Sequence, residues 1–339
     1  MTKQKRILSV MIASLLMLLL ILDADTAKNA AISAIELCMG VVIPSLFPFF
    51  VITTYLNNNL LGLSIPGAKR IGKLLSIPSG CESLLVVGLI GGYPVGAQLV
   101  ADACRENLLS KNTGKILLGY CSNAGPAFIF GVAGVLFSSI HITLALWIIH
   151  LVSALLNGYL LPRPKELLSV NTNIKVCTIA KALQKSISIC AFVCGWIVIF
   201  KIGITFLDQI NLSVCNPVIS TVIKGLFELS NGCILLYEIQ NEAIRFLIVS
   251  GLLAFGGICV LLQTVSVTEN IGLGLYLPGK IMQTCISLIL STIVLPFLFP
   301  DIKTDFHTRR CILLCSFILI LPLQAYCKKR CGNPENNHV

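Results

Sequence analysis

Four short clusters of Gly, Pro, Asn and Ser interrupt otherwise apolar stretches, and they hold most of the residue types able to do chemistry. In the first half, Gly91-Gly92-Tyr93-Pro94-Val95-Gly96 cannot remain helical, and Cys121-Ser122-Asn123-Ala124-Gly125-Pro126 breaks the next apolar run. In the second half, Glu228-Leu229-Ser230-Asn231-Gly232 is followed by Gly256-Gly257 and then Gln263. A broken helix presents free N–H groups at a new N-terminus and free carbonyls at a new C-terminus, which attract anions and cations respectively. Pro126 suits the first position of a restarting helix, with Ser122 or Asn123 as its cap and Gly125 keeping bulk away from a ligand. That reading is an anion-accepting site; the alternative is a proline kink that serves packing. Tyr93 offers a ring for stacking and a hydroxyl, or simply packs at a turn.

Glu228 precedes Asn231 by three residues and so shares its helical face. An ionisable group at membrane depth is costly and is a functional hypothesis by default. Glu228 would bind a cation, carry a coupling proton or accept hydrogen bonds from a substrate; otherwise it is solvated near an interface. Gln263 and Thr264 either face a cavity or bond between helices. Glu82 is expected at the interface. The chain has no HExxH, Gly-x-Ser-x-Gly or P-loop pattern, the four histidines lack ligand spacing, and Gly272 to Lys280 reads as a glycine-rich loop. The expectation is no enzyme, no metal and no cofactor. The fifteen cysteines, many within apolar runs, read as packing residues.

These groups must be positioned by membrane helices. The chain is 56% hydrophobic and 12% charged over 339 residues, with a mean hydropathy of +0.89. That excludes an ordinary soluble domain and predicts one all-α polytopic membrane domain over 1–339. Apolar spans are expected near 7–22, 30–56, 82–104, 113–137, 140–161, 186–207, 217–237, 245–267, 276–300 and 311–327, with the third, fourth, seventh and eighth broken. The first, after Lys3, Lys5 and Arg6, reads as a retained helix rather than a cleaved signal peptide. The net charge of +10 fits basic residues gathered in cytoplasmic loops better than nucleic-acid binding.

With a cytoplasmic N-terminus, and the first broken member of each pair read as a re-entrant hairpin, most of the 25 lysines and arginines fall inside, Lys280 among them. The chain then divides into a first repeat unit (30–161), a basic cytoplasmic linker (162–185) and a second unit (186–327) of opposite polarity. Inverted repeats with broken helices are an architecture of secondary transporters, with the binding site at the breaks. The candidate substrate-binding residues are Gly92, Tyr93, Gly96, Ser122, Asn123, Gly125, Glu228, Ser230, Asn231, Gly232, Gly256, Gly257 and Gln263, with Glu228 also the ion-coupling candidate.

Five blocks carry a resemblance: Pro44-Ser45-Leu46-Phe47-Pro48-Phe49-Phe50, Gly92 to Ala97, Cys121 to Ile129, Leu226 to Cys233, and Gly256-Gly257 with Gln263. In that order they resemble the YlbJ family of sporulation integral membrane proteins, which carry the nucleoside recognition (Gate) domain. The resemblance implies a core like that of concentrative nucleoside transporters. It also implies a role in endospore formation, in the cell membrane or the outer forespore membrane, moving dipicolinic acid. The expected partners are a small-molecule substrate, the lipid bilayer and a coupling proton or sodium ion. The alternative is a non-transporting membrane scaffold for spore envelope assembly.

Overall fold

The computed structural model describes residues 3–164, 177–209, 216–300 and 306–332, and these are helical, with no strand among them. Much of the basic linker, Lys165 and Lys175 included, lies outside the described residues, whereas Lys181 and Lys185 already belong to a helix. Among the described residues, seven helices are long and apolar enough to cross a membrane, two of them counted through an interruption. The chain is therefore a multi-pass membrane protein.

Helix α1 (Lys3–Leu22) leads into α2 (Ala24–Leu37), whose first turn is capped by Asp23 Oδ1 accepting from the Thr26 amide at 3.1 Å. A π turn over Cys38–Val42 joins α2 to α3 (Ile43–Leu60), making one helical rod of 37 residues. The π turn comes immediately before Pro44, which cannot donate to the preceding turn, and wider turns are a common accommodation of that loss. A short helix α4 (Pro66–Leu74) carries Lys69, Arg70 and Lys73.

Two helical hairpins follow, one in each half. The first is α5 (Glu82–Gly91), a turn at Gly92-Tyr93-Pro94, and α6 (Val95–Arg105). The second is α11 (Pro217–Phe227), one extended residue, Glu228, and α12 (Leu229–Leu235). Each hairpin precedes an interrupted helix. In the first half α7 (Lys111–Cys121) stops, Ser122 to Gly125 run non-helically, and α8 (Pro126–Phe128) restarts with Pro126 in its first turn, as expected. A π turn (Ile129–Ala133) and a 3₁₀ turn (Gly134–Leu136) extend α8. In the second half α13 (Glu242–Phe255) ends at Gly256, where α14 (Gly257–Val267) begins. Gly256 has φ +86°, a left-handed conformation that glycine adopts without a Cβ penalty.

The remaining helices are α9 (Ile140–Leu160), α10 (Ile179–Gln209), α15 (Tyr276–Leu298) and α16 (Phe306–Gly332). Helix α15 sits between the halves, packed on α7 and α9 from one and on α13 and α16 from the other. Small residues make this possible. A Cβ on Gly279 would lie 2.5 Å from the Gly119 carbonyl oxygen, so α15 and α7 meet backbone to backbone. Ser250 on α13 contacts Ser287 and Ser291 on α15 at 2.7 and 2.5 Å, a polar link of the kind that binds helices in lipid. Helix α10 packs on α2 and α3 and leaves Leu183, Ile187 and Ile199 exposed, as a lipid-facing helix does.

Candidate functional site

The turn of the first hairpin is pressed into the first interrupted helix. A Cβ on Gly125 would stand 2.6 Å from the Ile90 carbonyl oxygen and 2.9 Å from the Gly92 nitrogen. Gly88 and Gly96, on the two arms, both close on the Cys121 carbonyl oxygen; an added Cβ would come within 2.1 and 2.3 Å of it. The hairpin and the end of α7 therefore form one backbone-packed unit. Tyr93, at the turn, reaches the other half: its hydroxyl donates to the Leu253 carbonyl at 3.3 Å, and its ring lies against Gly256.

The second hairpin is built around a carboxylate. Glu228 Oε1 accepts from the Ser230 amide at 3.0 Å, while Oε2 accepts from the Asn231 amide and from Asn231 Nδ2, each at 2.7 Å. Glu228 is the N-cap of α12, so its charge meets the positive end of the helix and three orphan donors at once. It is 2% exposed, which overturns the interfacial alternative; the single extended residue turns its side chain back into the fold. Gly232 allows the arms to touch, since a Cβ there would lie 2.2 Å from the Gly225 Cα. Gly257 lies against the carbonyls that end α11: a Cβ there would stand 3.3 Å from those of Gly225 and Leu226.

The interrupted segments meet at one cleft. Gly92 and Tyr93 line it from the first hairpin, and Ala124, Gly125 and Phe128 from the first interrupted helix. Glu228, Leu229 and Ser230 come from the second hairpin, and Val260 and Gln263 from α14. Val42 and Leu46 of the long rod, with Val193 and Ile197 of α10, form an apolar wall. The cleft thus combines apolar walls with a few convergent polar groups, as small-molecule sites do. Gln263 faces it and donates to Cys259 Sγ at 3.3 Å.

Six of the thirteen sequence-selected residues line this cleft: Gly92, Tyr93, Gly125, Glu228, Ser230 and Gln263. Gly96, Gly232, Gly256 and Gly257 instead permit the close approaches that build it. Ser122, Asn123 and Asn231 are buried and do not line it. Capping by Ser122 or Asn123 is corrected. The N-cap of α8 is Gly125 without a side-chain bond, and Asn123 faces the other way, its Nδ2 donating to the Tyr120 carbonyl at 2.7 Å to close α7. Asn123 stands two positions before the Gly125 cap, and the non-helical segment between them carries its side chain off the restarting turn. Glu82, at the head of α5, is 2% exposed and accepts from the Gly80 amide at 2.8 Å.

The largest departure is Lys280. Read as a loop cation, it is fully buried in the first turns of α15. Its Nζ donates to Asn123 Oδ1 at 3.2 Å and to Gln283 Oε1 at 2.8 Å, and lies 5.0 Å from the Tyr93 ring centroid and 5.9 Å from that of Tyr276. Gln283 Nε2 also donates to Asn123 Oδ1, at 2.9 Å. Tyr93 therefore stands between the cleft and a buried cation. His150, in the middle of α9, is also drawn in, its Nε2 accepting from the Ala124 amide at 3.2 Å. A Lys and a Gln at i, i+3 in an otherwise apolar helix, and a His within an apolar span, were the available sequence signals.

Comparison with protein-family models gives no match, and neither does comparison with the solved structures. Among curated proteins, the chain is similar to the sporulation integral membrane protein YlbJ of Bacillus subtilis (strain 168). The two are 23% identical over 293 residues, 71% of this chain and 70% of that protein. The chain is thus a homologue of an integral membrane sporulation protein, in agreement with its seven apolar helices.

Proposed function

We propose that this protein is a secondary transporter of a small anionic or nucleoside-like solute, dipicolinate in the setting of endospore formation. The observation that carries this reading is the meeting of both hairpins and both interrupted helices at one cleft. Discontinuous helices around a central cavity are what solute binding within a membrane requires, because broken backbone is tolerated there only beside protein or water. In this reading the two hairpin-plus-interrupted-helix units (30–161 and 186–327) are an inverted repeat with a Gate-type core, and the protein sits in the outer forespore membrane. Gly92, Tyr93, Gly125, Ser230 and Gln263 contact the solute, Asn123 and Asn231 hold the surrounding groups, and Gly96, Gly232, Gly256 and Gly257 keep the backbones close. Glu228, the carboxylate on the cleft wall, couples transport to a proton or sodium ion.

The test is uptake of radiolabelled dipicolinate and of a nucleoside into proteoliposomes containing the purified full chain. Solute accumulation that depends on an imposed proton or sodium gradient, and that falls in Asn123→Ala and Glu228→Gln, is the expected result. Folded protein that moves neither solute, with both substitutions leaving sporulation intact, overturns it and leaves the scaffold reading.

A further inference from the structure

Helix α10 carries an ion pair towards each end, one to each hairpin. Near its start, Lys185 Nζ meets Asp102 Oδ2 on α6, the second arm of the first hairpin. At its end, Asp208 Oδ1 meets Lys224 Nζ on α11, the first arm of the second hairpin, at 2.8 Å. The pairs Arg105–Asp102 and Arg245–Glu242 lie within single helices, whereas these two join α10 to the hairpins. The stretch from Lys185 to Asp208 is about 35 Å of α-helix, on the order of the thickness of a bilayer's hydrocarbon core. The two pairs therefore stand towards opposite membrane faces. Val193 and Ile197, which line the cleft, fall near the middle of that length.

Helix stability does not call for this arrangement, because Asp208 is an anion in the last turn of α10 and opposes the helix dipole. Close packing does not call for it either. The seam between α10 and α11 is parted by a pocket whose walls include Ile204, Ser220, Phe227 and the Asp208–Lys224 pair itself. A Cβ on Gly195 or Gly203 would meet nothing within 4 Å, so α10 carries two glycines that packing does not require and that ease its bending. The side chains of both pairs are partly exposed, and ion pairs of that kind are weak.

We infer that α10 is the movable wall of the cleft, latched to one hairpin towards each membrane face, and that the cleft opens toward a face when the latch on that face releases. Release of Lys185 lets the start of α10 tilt away from α6, and release of Asp208 lets its other end tilt away from α11. With both latches made, Val193 and Ile197 stay against the cleft. A partly exposed ion pair biases such an equilibrium by up to about fivefold, which suits a contact that is broken in every cycle. This inference rests on the transport reading for its purpose but concerns access to the cleft alone.

The experiment places a reporter thiol in the cleft as Ser230→Cys and labels the full chain with a membrane-impermeant maleimide, in right-side-out and in inside-out membrane vesicles. Modification is read peptide by peptide by mass spectrometry, and native Cys177, which precedes α10, identifies the vesicles that expose the Lys185 face. Asp102→Asn should raise reporter labelling about two- to fivefold from the Lys185 face only, and Asp208→Asn by a similar factor from the opposite face only. The exchange of Asp102→Lys with Lys185→Asp should return labelling to the level of the unlatched parent's intact form. If Asp102→Asn does not fold, Lys185→Gln tests the same latch. Labelling that neither substitution changes, that both raise from the same face, or that the exchange fails to restore overturns the inference. Gradient-driven uptake with labelling indifferent to both latches refutes this inference alone; latch-dependent labelling in protein that moves no solute refutes the transport reading alone.

Discussion

The interruption between α7 and α8 and the Glu228 turn of the second hairpin both face the cleft, and they satisfy their free backbone groups in opposite ways. At the second, Glu228 binds the free amides of its own helix and Asn231 Nδ2, so the break is electrostatically complete from within. At the first, Asn123 turns back to close α7, the restarting helix has no side-chain cap, and the nearest charge is the buried ammonium of Lys280. A break that supplies its own counter-charge is a structural joint. The other break instead draws its polar partners from α15, through Lys280 and Gln283. Sequence composition alone makes the two look alike, since both are Gly/Asn/Ser clusters in apolar runs.

The contrast breaks most sharply at Glu228. Glu228→Ala strands two amides and a side-chain amide in a buried site, and should cost about 3 kcal/mol or more in unfolding experiments in detergent. Glu228→Gln should recover part of this, since one carbonyl oxygen still accepts. A loss below about 1 kcal/mol for the alanine variant would remove the distinction between the joints. Next in size, Gly232→Ala forces a methyl against the Gly225 Cα and should cost about 1–3 kcal/mol. Gly195→Ala on α10, where a Cβ meets nothing within 4 Å, should be neutral or stabilising by up to about 1 kcal/mol, and the pair can be read by melting in the same detergent.

Lys280→Met is expected to change the stability of the ligand-free protein by no more than about 1 kcal/mol, because an uncompensated charge is replaced by an apolar chain of similar length. A loss as large as that of Glu228→Ala would mean that Lys280 is as structurally integrated as the carboxylate. Smallest of all, Ser122→Ala removes a hydroxyl with no partner and should fall within about 0.5 kcal/mol of wild type without ligand.

The helices and all four interruptions were legible in the sequence because glycine, proline and extended asparagine segments break periodicity locally, whatever the tertiary context. Pro126 marked the restart of α8; Glu228 and Asn231 do meet, but as the extended N-cap and the third residue of α12 rather than on one helical face. Lys280 was not legible for a specific reason. The glycines from Gly272 to Gly279 read as a loop, so the lysine after them was assigned to it, yet Pro278 is compatible with a first helical turn. The adjoining Gly279 serves the approach to Gly119 that draws α15 onto α7 and buries the ammonium. Burial of that kind depends on a partner 160 residues away in the chain, from Gly279 to Gly119, and local pattern does not encode it. Glu82 escaped for a different reason: its carboxylate folds back on the Gly80 amide only two residues before it, a local turn that its place at the head of an apolar run does not reveal.

The π turn at Cys38–Val42 adds one residue to a turn of the long rod. Each residue of an α-helix advances the side chains by about 100°, so this insertion sets the azimuth of everything beyond it relative to α2. Val42 and Leu46 contribute to the cleft wall only at that azimuth. Were the same residues wound as a regular α-helix, with none removed, α3 would swing by roughly a quarter-turn, whereas deletion of Met39 would leave its azimuth nearly unchanged; substitutions that relax the π turn at full length are thus the disruptive ones. The apolar wall would then turn away from the cleft while every helix stayed intact, so the width of the cleft is encoded by the phase of a helix as much as by the residues that line it.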